Sequence, residues 1–439
     1  MASTYLSKTF GTATDRKKFT VSLWFKRSGL SSTQMLFAGT NGSTDEFLYL
    51  TGSGNNIIAE CASGQLVSSA NFRDTNGWYH VVYKFDSAQA TAGDRTALYV
   101  NGTEISYSTE TQPSQNATPN FINNSNLHAI GRRGSSADAY FDGSITHFHF
   151  CDGYAYDASD FGQFNSDGVW TPKTSPSVTY GTNGFFLKME NSGSMGTDSS
   201  GNANNFTVNG TLTQTIDSPS NVYCCLNALA KTNASMTFNH GNTTATTANG
   251  VAWLGAMGTL GANKGKWYAE AKITDPLNFS IGYAKFGGTF NNNMNTLNGG
   301  YLGIASGDSY GFWGNGASAN LYYGSVNYSY GSVTSANDIM MLAMDLDNGN
   351  LYWGKNGTWF NSSNPATSTS PAISGITVDE FMTFAIGVEG GSAQWNFGNG
   401  YFGTSPVASA GSNGNGSIFE YDVPTGYYAL NTKNLATYG

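Results

Sequence analysis

The stretch Asn337 to Phe360, NDIMMLAMDLDNGNLYWGKNGTWF, constrains the fold more than any other part of the chain. From Ile339 to Leu346 both alternating sets of side chains are mostly apolar: Ile339, Met341 and Ala343 on one side, Met340, Leu342, Met344 and Leu346 on the other. A run this short, apolar on both faces and closed by Asp345-Leu346-Asp347, predicts a strand buried between two sheets rather than a helix. Asn348-Gly349 then predicts a two-residue hairpin of type I′, because both central residues of that turn need positive φ. Leu351-Tyr352-Trp353 is the return strand, and Lys355-Asn356-Gly357 is a second turn.

A looser copy of this plan occurs earlier. Trp78 to Asp86 reads as a strand with Val81 and Tyr83 on one face and Val82 and Lys84 on the other. After the polar connection Ser87 to Arg95 comes Ala97-Leu98-Tyr99-Val100, ending in Asn101-Gly102. An apolar strand, an acidic turn, a Leu-Tyr strand and Asn-Gly thus appear twice, which predicts two related β-sandwiches in tandem. The composition agrees: 55 Gly, 27 Phe, 25 Tyr and 9 Trp in 439 residues suit half-buried pleated surfaces joined by tight turns. No segment sustains a helical period. The expected fold is all-β, two antiparallel sandwiches spanning 1–217 and 218–439, with the polar, proline-bearing Ile216 to Ser220 as the boundary.

A formal net charge of -9 argues against a nucleic-acid partner, which would need a basic face. Cys61, Cys151, Cys224 and Cys225 show neither C-x-x-C spacing nor a framework pattern, so free buried thiols are expected. MASTYLSKTF has neither a basic start nor an apolar core, so no signal peptide is expected. No apolar run approaches the ~20 residues of a membrane helix, so no membrane insertion is expected either.

Further strands are expected at Phe19 to Arg27, Met35 to Ala38, Glu46 to Leu50, Leu127 to Arg132 and Tyr140 to Phe150. FTVSLWFKR, NGWYHVVYKFD, ALYVNG and FDGSITHFHFCDGYAYDASDFG together resemble a laminin-G-like, concanavalin A-like jelly roll over about Lys8 to Thr215. In the second half GKWYAEAKI, FSIGYAK, SYGFWGNG, IMMLAMDLDNGNLYWGKNG and FMTFAIGVEGGSAQWNFG follow the order seen in SPRY domains, over about Asn221 to Phe402. Those are also concanavalin A-like sandwiches and usually act as protein-interaction modules. Ile418 to Leu435 would return as a terminal strand, with Ala429 to Asn431 pairing near Cys225 to Leu229. The ensemble, especially GTDSSGNANNFTVNG and GYYALNTKNL, resembles structural proteins of marine tailed bacteriophages.

That resemblance implies a non-enzymatic virion protein, tail-associated or surface-exposed, binding a host-surface glycan or protein. The alternative is a purely structural capsid decoration or tail spacer that touches only other virion proteins. The chain would be made in the host cytoplasm and work in the virion, as a homo-oligomer among other virion proteins. Glucanases of the superfamily carry Glu-x-Asp-x-x-Glu on one strand to supply nucleophile and acid. No such run exists here, and Asp345-Leu346-Asp347 lacks a glutamate partner.

Among binding residues, Tyr310, Trp313, Tyr322 and Tyr323 stand out as an aromatic platform for a sugar face or a partner side chain. Phe312 and Trp313 are alternatively core residues. Trp253, Tyr301 and Tyr328 add to the aromatic density of this half. His147, His149 and Cys151 alternate, which would aim all three at one strand face in a metal-like arrangement. The simpler reading leaves Phe148 and Phe150 in the core and the histidines outside it. No cofactor is expected, although the laminin-G-like resemblance implies Ca²⁺ as a candidate, with Asp142, Asp152, Asp157 and Asp160 crowding one end of the domain.

Overall fold

A computed structural model of the chain describes residues 4–231, 235–248, 253–286, 301–303, 308–378 and 380–439. The chain forms two compact units, Met1–Gln214 and Thr215–Gly439, dividing just before the expected boundary at Ser218. Both are built almost wholly of antiparallel strands. No described helix is long and apolar enough to cross a membrane.

Among the described residues, the first unit pairs an eight-stranded sheet with a six-stranded one. The smaller sheet runs Phe185–Leu187, Gly143–Asp152, Lys18–Arg27, Tyr79–Asp86, Thr96–Val100 and Thr103–Glu104. Alternation decides what faces inward. Val21, Leu23, Phe25, Val81, Phe148 and Phe150 from this sheet meet Leu36, Leu48, Leu50 and Ile57 from the other. The opposite face is not left to water. Val82 and Cys151 lie under Ala158, Phe161, Trp170 and Tyr180, contributed by the connection between Asp152 and Phe185. At the hairpin after Val100, Asn101 (φ 48°) and Gly102 (φ 86°) both take the left-handed conformation of a type I′ turn.

The second unit has the same plan. Its described strands form a seven-stranded sheet containing Leu254–Gly258, Met382–Val388, Phe279–Lys285, Ser309–Gly314, Ala319–Tyr323 and, at one edge, Val326–Ser329. The facing eight-stranded sheet contains Ser392–Asn396, Lys266–Asp275, Ile339–Asp345 and Asn350–Lys355. Ile339–Asp345 is buried on both faces, but only one face meets a sheet. Met340, Leu342 and Met344 enter the inter-sheet core, whereas Met341 and Ala343 pack with Phe419, Val423 and Tyr427 of the C-terminal segment. The expectation of two flanking sheets is corrected accordingly: an irregular segment covers the second face.

The Asn348-Gly349 turn also differs from expectation. Asp345 pairs with Asn350, leaving four residues in the loop, and only Gly349 has positive φ, at 68°. The buried Asp345 carboxylate sets this geometry. It accepts from the Asn348 backbone N–H at 3.1 Å and side-chain amide at 2.8 Å, and pairs with Lys266 at 2.9 Å. The two-residue type I′ turn appears instead at Asn356-Gly357 (φ 49° and 81°).

The chain end is a second correction. Tyr428–Ala429 makes only a short parallel pairing with Lys266–Asp275, and Thr432–Tyr438 is helical. Asn431 caps that helix by accepting from the Asn434 N–H, which turns the backbone out of the sheet. Pairing between the unit's two ends does occur through Tyr223 and Asn431.

Candidate functional site

The aromatic stretch of the second unit is divided by strand alternation. In Ser309–Gly314, Tyr310 and Phe312 point into the core, Tyr310 with 5% exposure. Tyr310 is therefore corrected from contact residue to core residue. Trp313 takes the opposite face and is half-buried. Its strand neighbour Gly311 shows what that face meets, since a Cβ there would abut Leu302 of the 301–303 segment and Ser280. Gly311 pairs with Tyr322, so Tyr322 shares the outer face.

The outer face carries a row of rings. Trp313 lies 6.2 Å from Tyr322, Tyr322 lies 5.8 Å from Tyr301, and Tyr301 lies 5.4 Å from Trp253. The interplanar angles are 69°, 75° and 64°, edge-to-face contacts that hold each ring by its neighbour. All four rings are half-buried, so part of each remains open to solvent. Burial, with Tyr301 beside it, raises the Tyr322 phenol above its ordinary value and keeps it neutral. Tyr323 takes the other face. It packs against the core margin and stacks on Tyr328 at 4.9 Å, while Tyr328 and Val326 remain exposed on the edge strand.

The aromatic grouping is legible in the sequence, but its polar neighbours are not. Asn320 pairs with Trp313, and Asn327 pairs with Tyr322, which places both amides on the ring-bearing face. Alternation along Ala319–Tyr323 and Val326–Ser329 was the available signal, hidden because the register between these strands is not written in either alone.

The metal candidates are not brought together. Asp142 and Asp152 flank the ends of Gly143–Asp152, a ten-residue strand, and so lie roughly 30 Å apart rather than crowding one end. The buried Asp152 carboxylate is engaged by the N–H groups of Thr14 and Asn183 and the amide of Asn123, at 2.8, 3.0 and 2.9 Å, closing that end of the sandwich. Asp157 pairs with Lys84 at 2.7 Å, which holds its carboxyl below the usual range, and shares a capping box with Asp160.

His147 adopts φ 46° at an irregularity between Thr146 and His149, so simple alternation does not hold there. Both His147 and His149 rings pack against Phe186, at 5.9 and 3.9 Å. Among the described residues no group of three or more His, Cys, Asp or Glu is placed to hold a metal ion. The four cysteines are buried and form no disulfide.

Nearby, Trp170 donates its indole N–H to His80 Nδ1 at 3.1 Å, which leaves Nε2–H to donate to Ser22 Oγ at 2.8 Å. This Ser-His contact is fully buried beneath the outer layer, and the histidine is a structural bridge.

Residues 2–158 match the family model of the concanavalin A-like lectin/glucanases superfamily, laminin-G type. Solved structures similar to this chain include the SPRY domain of human HERC1, at 13% identity over 39% of this chain and 96% of that one, with a TM-score of 0.28. A human SPRY domain matches at 14% identity, covering 37% and 94%, with a TM-score of 0.26. The PSpry domain of TRIM65 matches at 12%, covering 39% and 91%, with a TM-score of 0.29.

Proposed function

We propose that the chain is a non-enzymatic virion protein, tail-associated or surface-exposed, that attaches to a glycan or protein on the host surface. The observation that carries this reading is the row Trp313, Tyr322, Tyr301 and Trp253, half-open on the outer face of a rigid sheet. Two of these rings, Trp313 and Tyr322, are held on strands, where an aromatic side chain offers contact area with little rotamer entropy left to lose. The first unit then serves as anchor or spacer. The resemblance to structural proteins of marine tailed bacteriophages supplies the setting, with homo-oligomeric copies seated among other virion proteins. Catalysis has no support in the acidic residues nearest a glucanase pattern. Asp345 is buried in an ion pair, and Asp347 accepts from the Gly265 N–H at 2.8 Å.

A purely structural role is favoured by one feature, the exposed edge strand Val326–Ser329, whose outer backbone groups suit pairing with another virion protein. Competition separates the readings. Purified protein added before the particle should block adsorption to host cells. A particle lacking the protein that adsorbs and infects normally, yet falls apart more readily, would instead establish the structural role.

A further inference from the structure

We propose that the outer face of Ser309–Gly314, Ala319–Tyr323 and Val326–Ser329 binds a neutral glycan, an inference that rests on the attachment role above. The strand registers assemble this face in two cross-strand rows. Trp313 stands opposite Asn320, and Asn320 opposite Ser329. In the next row Gly311 stands opposite Tyr322, and Tyr322 opposite Asn327. Each row sets an aromatic ring beside a neutral hydrogen-bonding side chain, and Asn327 and Ser329 are exposed.

Charge narrows the ligand class. Between Asp308 and Asp338 the sequence contains no Asp, Glu, Lys or Arg, so the three strands offer no counter-ion to an anionic or cationic ligand. A sugar ring presents C–H faces that lie against indole and phenol rings, and hydroxyls that both donate and accept. A side-chain amide matches such hydroxyls because it too carries both donors and an acceptor. A peptide added along Val326–Ser329 would be held by edge backbone groups and would leave Trp313 and Tyr322 largely unused. The glycan is therefore the occupant that uses every feature of the face.

The test is titration of the full chain with neutral oligosaccharides (gluco-, manno-, galacto- and N-acetylglucosamine oligomers) and with polygalacturonate, followed by tryptophan fluorescence and calorimetry. At least one neutral oligosaccharide should bind saturably, with affinity unchanged between about 0.05 and about 0.5 M salt, since screening acts only on charged contacts. Trp313→Ala should weaken that binding about tenfold or more, the loss typical of a central aromatic contact. Asn327→Asp, at an exposed position that leaves the core untouched, should weaken it as well, with an unchanged melt. Failure of every neutral oligosaccharide, binding of polygalacturonate alone, or neutral-glycan binding indifferent to both substitutions would overturn the proposal. If no glycan binds while Trp313→Ala still abolishes adsorption to cells, the attachment role stands and the ligand class is wrong. If a neutral glycan binds this face but the protein never competes for adsorption, the ligand class stands and the attachment role fails.

Discussion

Four of the five histidines lie in the first unit, and burial lowers the pKa of each. His80 and His128 are pushed down to about 3, and His149 well below its ordinary value. Their surroundings agree with neutral rings, since His80 stacks on Trp24 and His128 on Phe10, at 4.8 and 3.6 Å. In the unfolded chain these imidazoles protonate near pH 6.5, so between about 6.5 and about 3 the unfolded state binds more protons. The first unit's stability should therefore fall on acidification, by up to about 1.4 kcal/mol per pH unit for each such histidine. Calorimetry from pH 7 to about pH 5, above the range of ordinary carboxylates, checks this. A midpoint for the first unit that stays flat across that window would show that the histidines are not held neutral.

At the scale of elements, the strands that carry the alternating pattern were legible: Lys18–Arg27, Tyr79–Asp86 and Ile339–Asp345 form where the apolar spacing puts them. What covers their outer faces was not, because Phe161, Trp170, Phe419 and Tyr427 sit in segments without periodicity. The Asn348-Gly349 turn was misread for a related reason, a tertiary capture by the Asp345 carboxylate that no dipeptide preference contains. At the candidate site the aromatic grouping was legible, but the split between inward Tyr310 and outward Trp313 needed the position of the facing sheet.

Glu270 shows how one such covering segment is held. Its buried carboxylate accepts from the N–H groups of Glu420 and Tyr421, both at 2.8 Å, and from the Tyr268 hydroxyl at 3.0 Å. Burial pushes this carboxyl up to about 7 against the pull of those donors. Because the folded state holds the proton more tightly, the contribution is fully present below the unfolded value near 4.5 and is lost as pH rises through about 7, opposite in sign to the histidines. Glu270→Ala leaves the buried Tyr268 hydroxyl and the part-buried Glu420 and Tyr421 N–H groups without their acceptor and should cost the second unit about 1–3 kcal/mol. Faster hydrogen exchange at Glu420 and Tyr421 should accompany the loss. Unchanged melting and unchanged exchange would mean that the segment is held by its apolar contacts alone.

For the whole molecule, one sandwich plan is used twice with different outer surfaces. The first unit seals one sheet face with its own connection, whereas the second leaves an uncharged, ring-bearing strip beside an exposed edge strand. In the proposed reading, that contrast is why the second unit would attach and the first would anchor. The most direct test is the binding of labelled protein to host cells, comparing the wild type with Trp313→Ala/Tyr322→Ala and following the melt of each. The double variant should lose about 1–3 kcal/mol in binding with the fold intact. Equal binding by both proteins, or a loss of binding fully matched by a loss of folding, would contradict this.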